Sequence, residues 1–383
     1  MRRLLLVVCA VALVDTMLYA VLTPLLPKIV HDLHLGKGSA GILVAGFALG
    51  SLAGAVPAGW VSTRLGSKVA VVLGMTSLAV ASLAFATAGS LSTLMAARFV
   101  QGASSALSWS GGIGWLLSAA PQERRGQLLG VALGAGIFGG AFGPVLGSLA
   151  ALTSRSVVFT GVAALASATA LWSLRLRYSH DRTPSPGALR RAGQNPGFLA
   201  GLAMMVVPAF LVGVVLVLGP LHLSSRGWGA AAVGAVWLLT ALLQSAASPV
   251  LGRMSDQRGA RVPIVLLFVL GIPLSVALAI VGAPVLYAVL LVAASTTYGG
   301  LYSPAFALIA RGAHDSGLPQ GLAFAAMQAS WAVGAVIGPA TGGAVAQATG
   351  DRVPLLVCAG ICAAALVYAR ARPRVGAYQP GLL

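Results

Sequence analysis

Residues 130–148 read GVALGAGIFGGAFGPVLGS, and this apolar, glycine-rich stretch decides how the chain folds. Gly139, Gly143 and Gly147 recur every four residues, so a helix would bring all three onto one face. Small residues on such a face let a neighbouring backbone approach closely within a membrane. Pro144 follows directly and removes one backbone hydrogen bond from the helix. The stretch therefore predicts a tightly packed helix inside a membrane.

A second copy of this pattern lies at residues 334–343, where Gly338 and Pro339 correspond to Gly143 and Pro144. A basic, glycine-flanked loop is also repeated. It reads GWVSTRLGSK at residues 59–68 and GRMSDQRGAR at residues 252–261. Paired repeats of this kind indicate two parallel halves, with a site between them that opens alternately to each side of the membrane.

The composition agrees with a membrane location. The chain has 383 residues, of which 58% are hydrophobic and 8% charged, and its mean hydropathy is +0.93. Soluble domains carry about 25% charged residues. Runs near the length that a bilayer requires predict twelve spans at residues 4–25, 40–60, 69–88, 92–118, 127–151, 156–174, 198–220, 230–251, 262–282, 284–310, 321–347 and 353–369.

The expected fold is an all-α integral membrane protein with twelve transmembrane helices in two pseudo-symmetric six-helix bundles. Residues 1–174 form the N-terminal bundle and residues 197–383 the C-terminal bundle. Residues 175–196 are rich in arginine and proline, which favours a cytoplasmic linker. The basic start of the first span resembles a signal peptide, but no cleavage site closes it, so we expect a retained transmembrane helix.

The distribution of basic residues predicts the orientation. With the N-terminus inside, 18 of the 24 Lys and Arg residues fall in cytoplasmic segments. The outer loops hold five, which are Lys28, Lys37, Arg155, Arg226 and Arg352. This bias places both termini in the cytoplasm. It also explains the net charge of +17 through the anionic inner leaflet of the lipid bilayer, without a nucleic-acid partner.

One acidic and one basic residue lie inside predicted spans. Asp15 falls about 16 Å into the first span, near mid-membrane, where a charge is costly and a function is the default interpretation. Tyr19 lies on the same face, where it could bond to Asp15, stack on a substrate or simply pack. Arg98 lies in the fourth span with Gln101 on its face. Arg98 could instead anchor that helix at the outer interface.

Other intramembrane polar and aromatic residues could line a binding cavity or pack between helices. They are Trp109, Gln244, Tyr298, Tyr302, Gln328 and Trp331. The remaining acidic residues fall in loops, at Asp32, Glu123, Asp181, Asp256, Asp315 and Asp351. The histidines fall in loops or at span ends, where we expect them to be solvated, at His31, His34, His180, His222 and His314. Neither these nor the three cysteines form a metal-ligand set.

Three motifs occur in order along the N-terminal half. The loop pattern G-x3-D-R/K-x-G-R-R/K is matched at Gly59, Arg64, Gly66 and Lys68. The pattern L-x3-R-x2-Q-G is matched at Leu94, Arg98, Gln101 and Gly102. The pattern G-x8-G-x3-G-P-x2-G-G is matched at Gly130, Gly139, Gly143, Pro144 and Gly147, with Ser148 in the last place. On these residues the chain resembles the major facilitator superfamily, in its twelve-span drug:proton antiporter branch.

The resemblance implies roles for individual residues. Asp15, with Tyr19 and the prolines that follow, is similar to the first span of tetracycline exporters and vesicular amine transporters. The resemblance also implies that Arg98 takes part in proton coupling. One departure is Thr63, which replaces an acidic residue that helps to hold one conformational state in the family. The first half lacks that acid and the second half keeps it at Asp256, so the usual latch is expected to be weaker or displaced.

The expected function is export of small lipophilic, cationic compounds or drugs by proton antiport, with Asp15 and Arg98 as the coupling residues. The proton gradient supplies the energy and no cofactor is needed. An exporter or facilitator of a neutral metabolite, such as a sugar or amino acid, is the alternative. The sequence has no motif typical of an enzyme, a channel filter or an ATP site. The expected partners are a small-molecule substrate, protons and lipid, and we expect a monomer in the inner membrane.

Overall fold

Residues 1–121, 124–176, 186–318 and 320–371 are described by the structure, a computed structural model, and all regular structure within them is helical. Glu123, and residues 177–185 of the predicted linker, which include His180 and Asp181, lie outside the described residues. The chain divides into two units. Unit 1 comprises Met1–Thr183 with Gly227–Leu238, and unit 2 comprises Pro184–Arg226 with Leu239–Leu383.

Unit 1 contains the first seven helices. They are α1 (Arg2–Ala20), α2 (Leu22–Asp32), α3 (Lys37–Arg64), α4 (Ser67–Thr87), α5 (Leu91–Ala119), α6 (Arg125–Leu152) and α7 (Arg155–Leu174). The first predicted span is interrupted at Val21, between α1 and α2. α5 begins with a capping box in which Ser90 and Thr93 satisfy each other's backbone N–H groups.

Unit 2 contains the remaining helices, although the first residues of α10 belong to unit 1. They are α8 (Pro186–Gln194), α9 (Pro196–Ser225), α10 (Ala230–Arg258), α11 (Arg261–Ile280), α12 (Pro284–Gly300), α13 (Tyr302–Asp315), α14 (Gln320–Thr349) and α15 (Arg352–Ala371). The tenth predicted span is interrupted at Leu301. α8 is a short helix within the segment that the sequence indicated only as a linker.

The twelve predicted spans correspond to these helices. Eleven helices or helix pairs in the described residues are long and apolar enough to cross a membrane. The fourth predicted span, α5, is 29 residues long but more polar than the others, because Arg98, Gln101 and several serines lie along it. The all-α, two-bundle membrane fold is thus confirmed.

The glycine face of α6 packs against the backbone of α1. A Cβ atom added at Gly139 would overlap the carbonyl oxygen of Leu13, and one at Gly143 would lie 2.7 Å from the carbonyl oxygen of Met17. At Gly147 the overlap would be with Val21. Contacts below 3.0 Å require the helices to move apart, so only glycine permits this close approach.

Unit 2 repeats this packing with α14 and α9. A Cβ atom at Gly334 would overlap the carbonyl oxygen of Val206, and one at Gly338 would overlap that of Phe210. Gly342 approaches Val214 one turn later. In each unit the glycine helix therefore supports the first long helix of its own unit. Gly130, in contrast, has no neighbour within 4 Å of an added Cβ atom.

The repeated basic loop caps another helix in each unit. Lys68 follows Gly66, whose φ of +96° favours glycine, and its Nζ donates to the carbonyl oxygens of Leu174 and Leu176, each at 2.7 Å. In unit 2 the Arg261 guanidinium donates to the carbonyl oxygen of Arg370 at 2.6 Å. A cation at a helix C-terminus satisfies carbonyls that lack partners within the helix.

We expect Lys68→Gln to loosen the end of α7. Loss of two charge-assisted bonds at a half-buried position should cost about 1 kcal/mol locally, which corresponds to amide exchange about fivefold faster over the last turn of α7. Hydrogen–deuterium exchange with mass spectrometry measures this directly. Arg64→Gln changes an exposed cation of the same loop and should leave the exchange rate of α7 unchanged. Equal effects of the two substitutions would contradict the capping role.

Candidate functional site

Asp15 is held by hydrogen bonds between α1 and α5. Its side chain is buried, at 3% exposure, and its Oδ2 accepts bonds from Ser105 Oγ at 2.8 Å and Trp109 Nε1 at 2.6 Å. Ser105 and Trp109 are four residues apart and therefore share one face of α5. The other carboxyl oxygen of Asp15, Oδ1, is buried and has no hydrogen-bond partner. The carboxyl group thus keeps one oxygen available for a proton or for a ligand.

Arg98 is also buried, at 1% exposure, and it points to the last turn of α1. Its Nη1 donates to the carbonyl oxygen of Leu18 at 3.0 Å and to Gln101 Oε1 at 3.2 Å. Its Nη2 lies 3.5 Å from the carbonyl oxygen of Tyr19. Carbonyl groups in the last turn of a helix lack intrahelical partners and carry the negative end of its dipole. Arg98 therefore caps α1.

The two intramembrane charges have separate partners. Neither side chain forms a salt bridge in the described part of the chain. The Arg98 guanidinium lies instead over the ring of Phe47 in α3, 4.9 Å from its centroid, and its Nε is buried without a partner. A buried cation that is held by carbonyls and a ring, rather than by a carboxylate, leaves Asp15 free to change its charge without breaking an ion pair.

Tyr19 and Gln101 lie close to these charges. The Tyr19 ring packs against Phe47 at a centroid distance of 5.3 Å, while the Gln101 Nε2 is buried and has no partner. With Trp109, these residues form the group that the structure brings together around Asp15 in unit 1. Phe47 was not identified from the sequence, because an aromatic residue in a long apolar helix gives no signal of its own.

The other sequence candidates belong to unit 2. Tyr298 is fully buried and its hydroxyl shares a 2.6 Å hydrogen bond with Ser275, so it joins α12 to α11. The side chain of Gln244 lies against Gly299 of α12. Three further candidates are half-buried on α13 and α14, namely Tyr302, Gln328 and Trp331.

The basic-loop motif has different chemistry in the two units. The Thr63 hydroxyl bonds to carbonyl oxygens of its own helix, those of Gly59 and Trp60. Asp256, at the matching place in unit 2, instead accepts from Arg311 at 3.4 Å. The Asp256 side chain is 76% exposed, so this pair is weak in solvent. An acid-to-arginine contact at this loop is thus present in unit 2 and replaced by helix-internal bonds in unit 1.

Comparison with known proteins assigns the family. Residues 8–323 match the family described as Major Facilitator Superfamily. The chain belongs to the Major Facilitator Superfamily. Proteins of this superfamily are transporters rather than enzymes. Within the described residues no group of three or more His, Cys, Asp or Glu side chains could hold a metal ion.

Relatives within the Major Facilitator Superfamily agree with the motif-based resemblance to its drug:proton antiporter branch. The chain is 32% identical over 157 residues to a probable vesicular acetylcholine transporter-B of Danio rerio, covering 39% of this chain and 32% of that protein. It is 29% identical over 190 residues to multidrug resistance protein 1 of Bacillus subtilis, covering 49% of this chain and 48% of that protein. The chain therefore matches less than half of the length of each of these relatives.

Solved structures of the superfamily share the fold across almost the whole chain. A bacterial homologue of the human lysosomal transporter Spinster superposes with a TM-score of 0.79 at 14% sequence identity. The match covers 96% of this chain and 95% of that chain. This similarity supports the fold and carries no information on the substrate.

Proposed function

We propose that the protein exports small lipophilic, cationic compounds by proton antiport with alternating access. The observation that carries this proposal is Asp15, the one buried carboxylate within the described residues. It is held by neutral donors, has no cationic partner and retains one unpaired oxygen. A group of this kind can bind a proton or a cation, but not both, which is the requirement for exchange.

The proposed cycle uses this competition. With the site open to the cytoplasm, Asp15 loses its proton and accepts the cationic substrate. The halves 1–174 and 197–383 then rock, so that the site opens to the outside. A proton displaces the substrate from Asp15, and Arg98 adjusts this step by fixing the last turn of α1 relative to α5. Inward flow of protons thereby drives outward flow of substrate.

The proposed orientation in the membrane follows from the distribution of basic residues. The protein would lie in the inner membrane as a monomer, with both termini and the 175–196 linker in the cytoplasm. The basic loops at residues 59–68 and 252–261 would face the anionic leaflet. The substrate cavity would be lined by aromatic residues of both halves, including Trp109, Tyr302 and Trp331.

One observation favours the second candidate, an exporter or facilitator of a neutral metabolite. Asp15 is 3% exposed, and Oδ2 already accepts two hydrogen bonds. A carboxyl group so enclosed admits a proton more readily than a bulky cation. In that case Asp15 would serve the proton alone, and polar groups such as Gln101 would contact the substrate.

Drug susceptibility distinguishes the two candidates. We expect expression of the wild-type protein in an efflux-deficient bacterial host to raise the inhibitory concentration of lipophilic cations, and not that of lipophilic anions. The Asp15→Asn variant, matched in membrane abundance, should give no protection. Uniform lack of protection by the wild-type protein would reject drug export and favour the metabolite exporter.

A further inference from the structure

A small pocket opens at the end of unit 2 that is remote from the linker. It has a volume of about 300 Å³ and lies where α9, α11 and α12 end or begin and where α14 turns into α15. Its ionisable and aromatic lining consists of His222, Arg226, Tyr287, Asp351 and Arg352. This volume is at the lower end of the range typical of small-molecule sites.

His222 forms the centre of this lining. Its ring stacks on Tyr287 at a centroid distance of 4.1 Å, and its Nδ1 lies 3.5 Å from Asp351 Oδ2. The side chain is 15% exposed. The expectation from sequence of a solvated histidine is therefore wrong, because the turn between α14 and α15 covers the end of α9 at this point.

Several polar groups of the pocket have no protein partner. His222 Nε2 and the Tyr287 hydroxyl are buried without a hydrogen bond. The guanidinium groups of Arg226 and Arg352 are exposed, and neither makes an ion pair or a side-chain hydrogen bond in the described part of the chain. Buried polar groups without partners cost free energy, so a ligand that supplied acceptors would be stabilised here.

We propose that this pocket binds an oxyanion, carried either by a small solute or by a lipid headgroup. Arg226 and Arg352 supply charge-assisted donors, the geometry that carboxylate and phosphate groups prefer. Tyr287 supplies a neutral hydroxyl donor. His222 Nε2, which is buried without a hydrogen-bond partner, lies in the same lining.

The charges around the pocket support an anion. Asp351 is the only group in this lining that repels one, and the imidazole Nδ1 of His222 lies 3.5 Å from its Oδ2. Arg226, directly after α9, and Arg352, at the start of α15, outweigh this single carboxylate. Tyr287 of α12 is neutral. The lining contributed by α11 is apolar, from Leu278 to Gly282. The pocket therefore presents two cations and one carboxylate to a ligand.

Sulfate is a suitable soluble probe, because it is a small oxyanion that is fully ionised near neutral pH. Binding of radiolabelled sulfate to the purified full-length protein is measured by equilibrium dialysis at constant ionic strength. We expect Arg226→Gln and Arg352→Gln each to weaken binding about tenfold or more, and Tyr287→Phe to weaken it severalfold.

The matched control is Arg253→Gln, which removes an exposed arginine at the opposite end of unit 2. An equal loss of affinity in this variant would show a general effect of net charge and would overturn the proposal. All the arginine positions are exposed, so these variants should retain the wild-type circular dichroism spectrum.

A second measurement distinguishes the source of the oxyanion. Thermal unfolding is compared in nanodiscs of phosphatidylglycerol and of phosphatidylcholine. A stabilisation by phosphatidylglycerol that Arg226→Gln and Arg352→Gln remove, and Arg253→Gln retains, identifies a lipid headgroup. Sulfate binding without this lipid effect identifies a soluble ligand. Absence of both responses overturns the proposal, and neither response depends on whether the protein exports drugs.

Discussion

Replacing Asp15 with Asn is expected to abolish proton-driven accumulation of substrate in proteoliposomes. The substitution keeps the shape of the side chain and its contacts to Ser105 and Trp109, but removes the group that exchanges a proton. In the wild type, acidification should weaken binding of a cationic substrate, because the proton and the cation compete. Coupling between two ligands is typically worth about 5- to 150-fold in affinity. This pH dependence should disappear in the variant.

The measurement combines uptake into inside-out proteoliposomes under a proton gradient with substrate binding at several pH values. Asp32→Asn is a matched control, because Asp32 is a half-exposed acid in α2 paired with Lys28. This control should retain coupled transport. If Asp15→Asn still concentrated substrate with its proton coupling intact, the proposed mechanism would be wrong. If it retained only pH-independent passage, Asp15 would serve the proton alone, as in the neutral-metabolite alternative.

The second large effect is expected at Gly139. A single added methyl group there overlaps the Leu13 carbonyl oxygen and the Thr16 hydroxyl, both on the helix that carries Asp15. Gly139→Ala should lower the free energy of unfolding by about 1–3 kcal/mol, because α1 and α6 must separate. The transport rate of this variant should also fall, since a shift of α1 moves Asp15 away from its hydrogen-bond donors on α5.

The adjacent residue provides the control. An added Cβ atom at Gly140 has no neighbour within 4 Å, so Gly140→Ala should leave stability unchanged or raise it by up to about 1 kcal/mol through helix propensity. Both variants make the same chemical change in the same helix one residue apart. Thermal unfolding in detergent and transport in proteoliposomes measure the difference. Similar stability of the two variants would show that α6 does not pack on α1 as described.

The helices were largely predictable, because each span needs an apolar run of bilayer length and turn residues or charges separate the runs. The interruptions of the first and tenth predicted spans could not be predicted. Val21 and Leu301 lie within continuous apolar stretches and keep right-handed helical backbone angles, so the hydropathy of the chain gives no signal of either interruption. α8 was also missed, since its nine residues, PGALRRAGQ, include proline, two glycines and two arginines and so have the composition of a linker.

Asp15 and Arg98 could be identified from the sequence, because a charge inside an apolar span is rare and costly. The hydrogen-bond partners of these two side chains could not be identified from the sequence. Arg98 contacts backbone carbonyls at Leu18 and Tyr19, and every residue type has a carbonyl. Trp109 was one of several aromatic candidates, and only the register of α1 against α5 selects it. His222 illustrates the opposite error, since its position at the end of a helix suggested exposure to solvent, while the turn between α14 and α15 covers most of its side chain.

The glycine contacts also define a residue-by-residue correspondence between α1 and α9. Leu13 and Met17 meet glycines four residues apart in α6, just as Val206 and Phe210 meet glycines four residues apart in α14. In this alignment the counterpart of Asp15 is Pro208.

A proline cannot titrate, and its missing N–H leaves a neutral carbonyl oxygen one turn earlier. The duplicated scaffold has thus kept its packing surface while its chemistry has diverged. One copy carries an exchangeable charge, and the other offers, close to the matching position of its own helix, a permanent dipole that no change of pH alters.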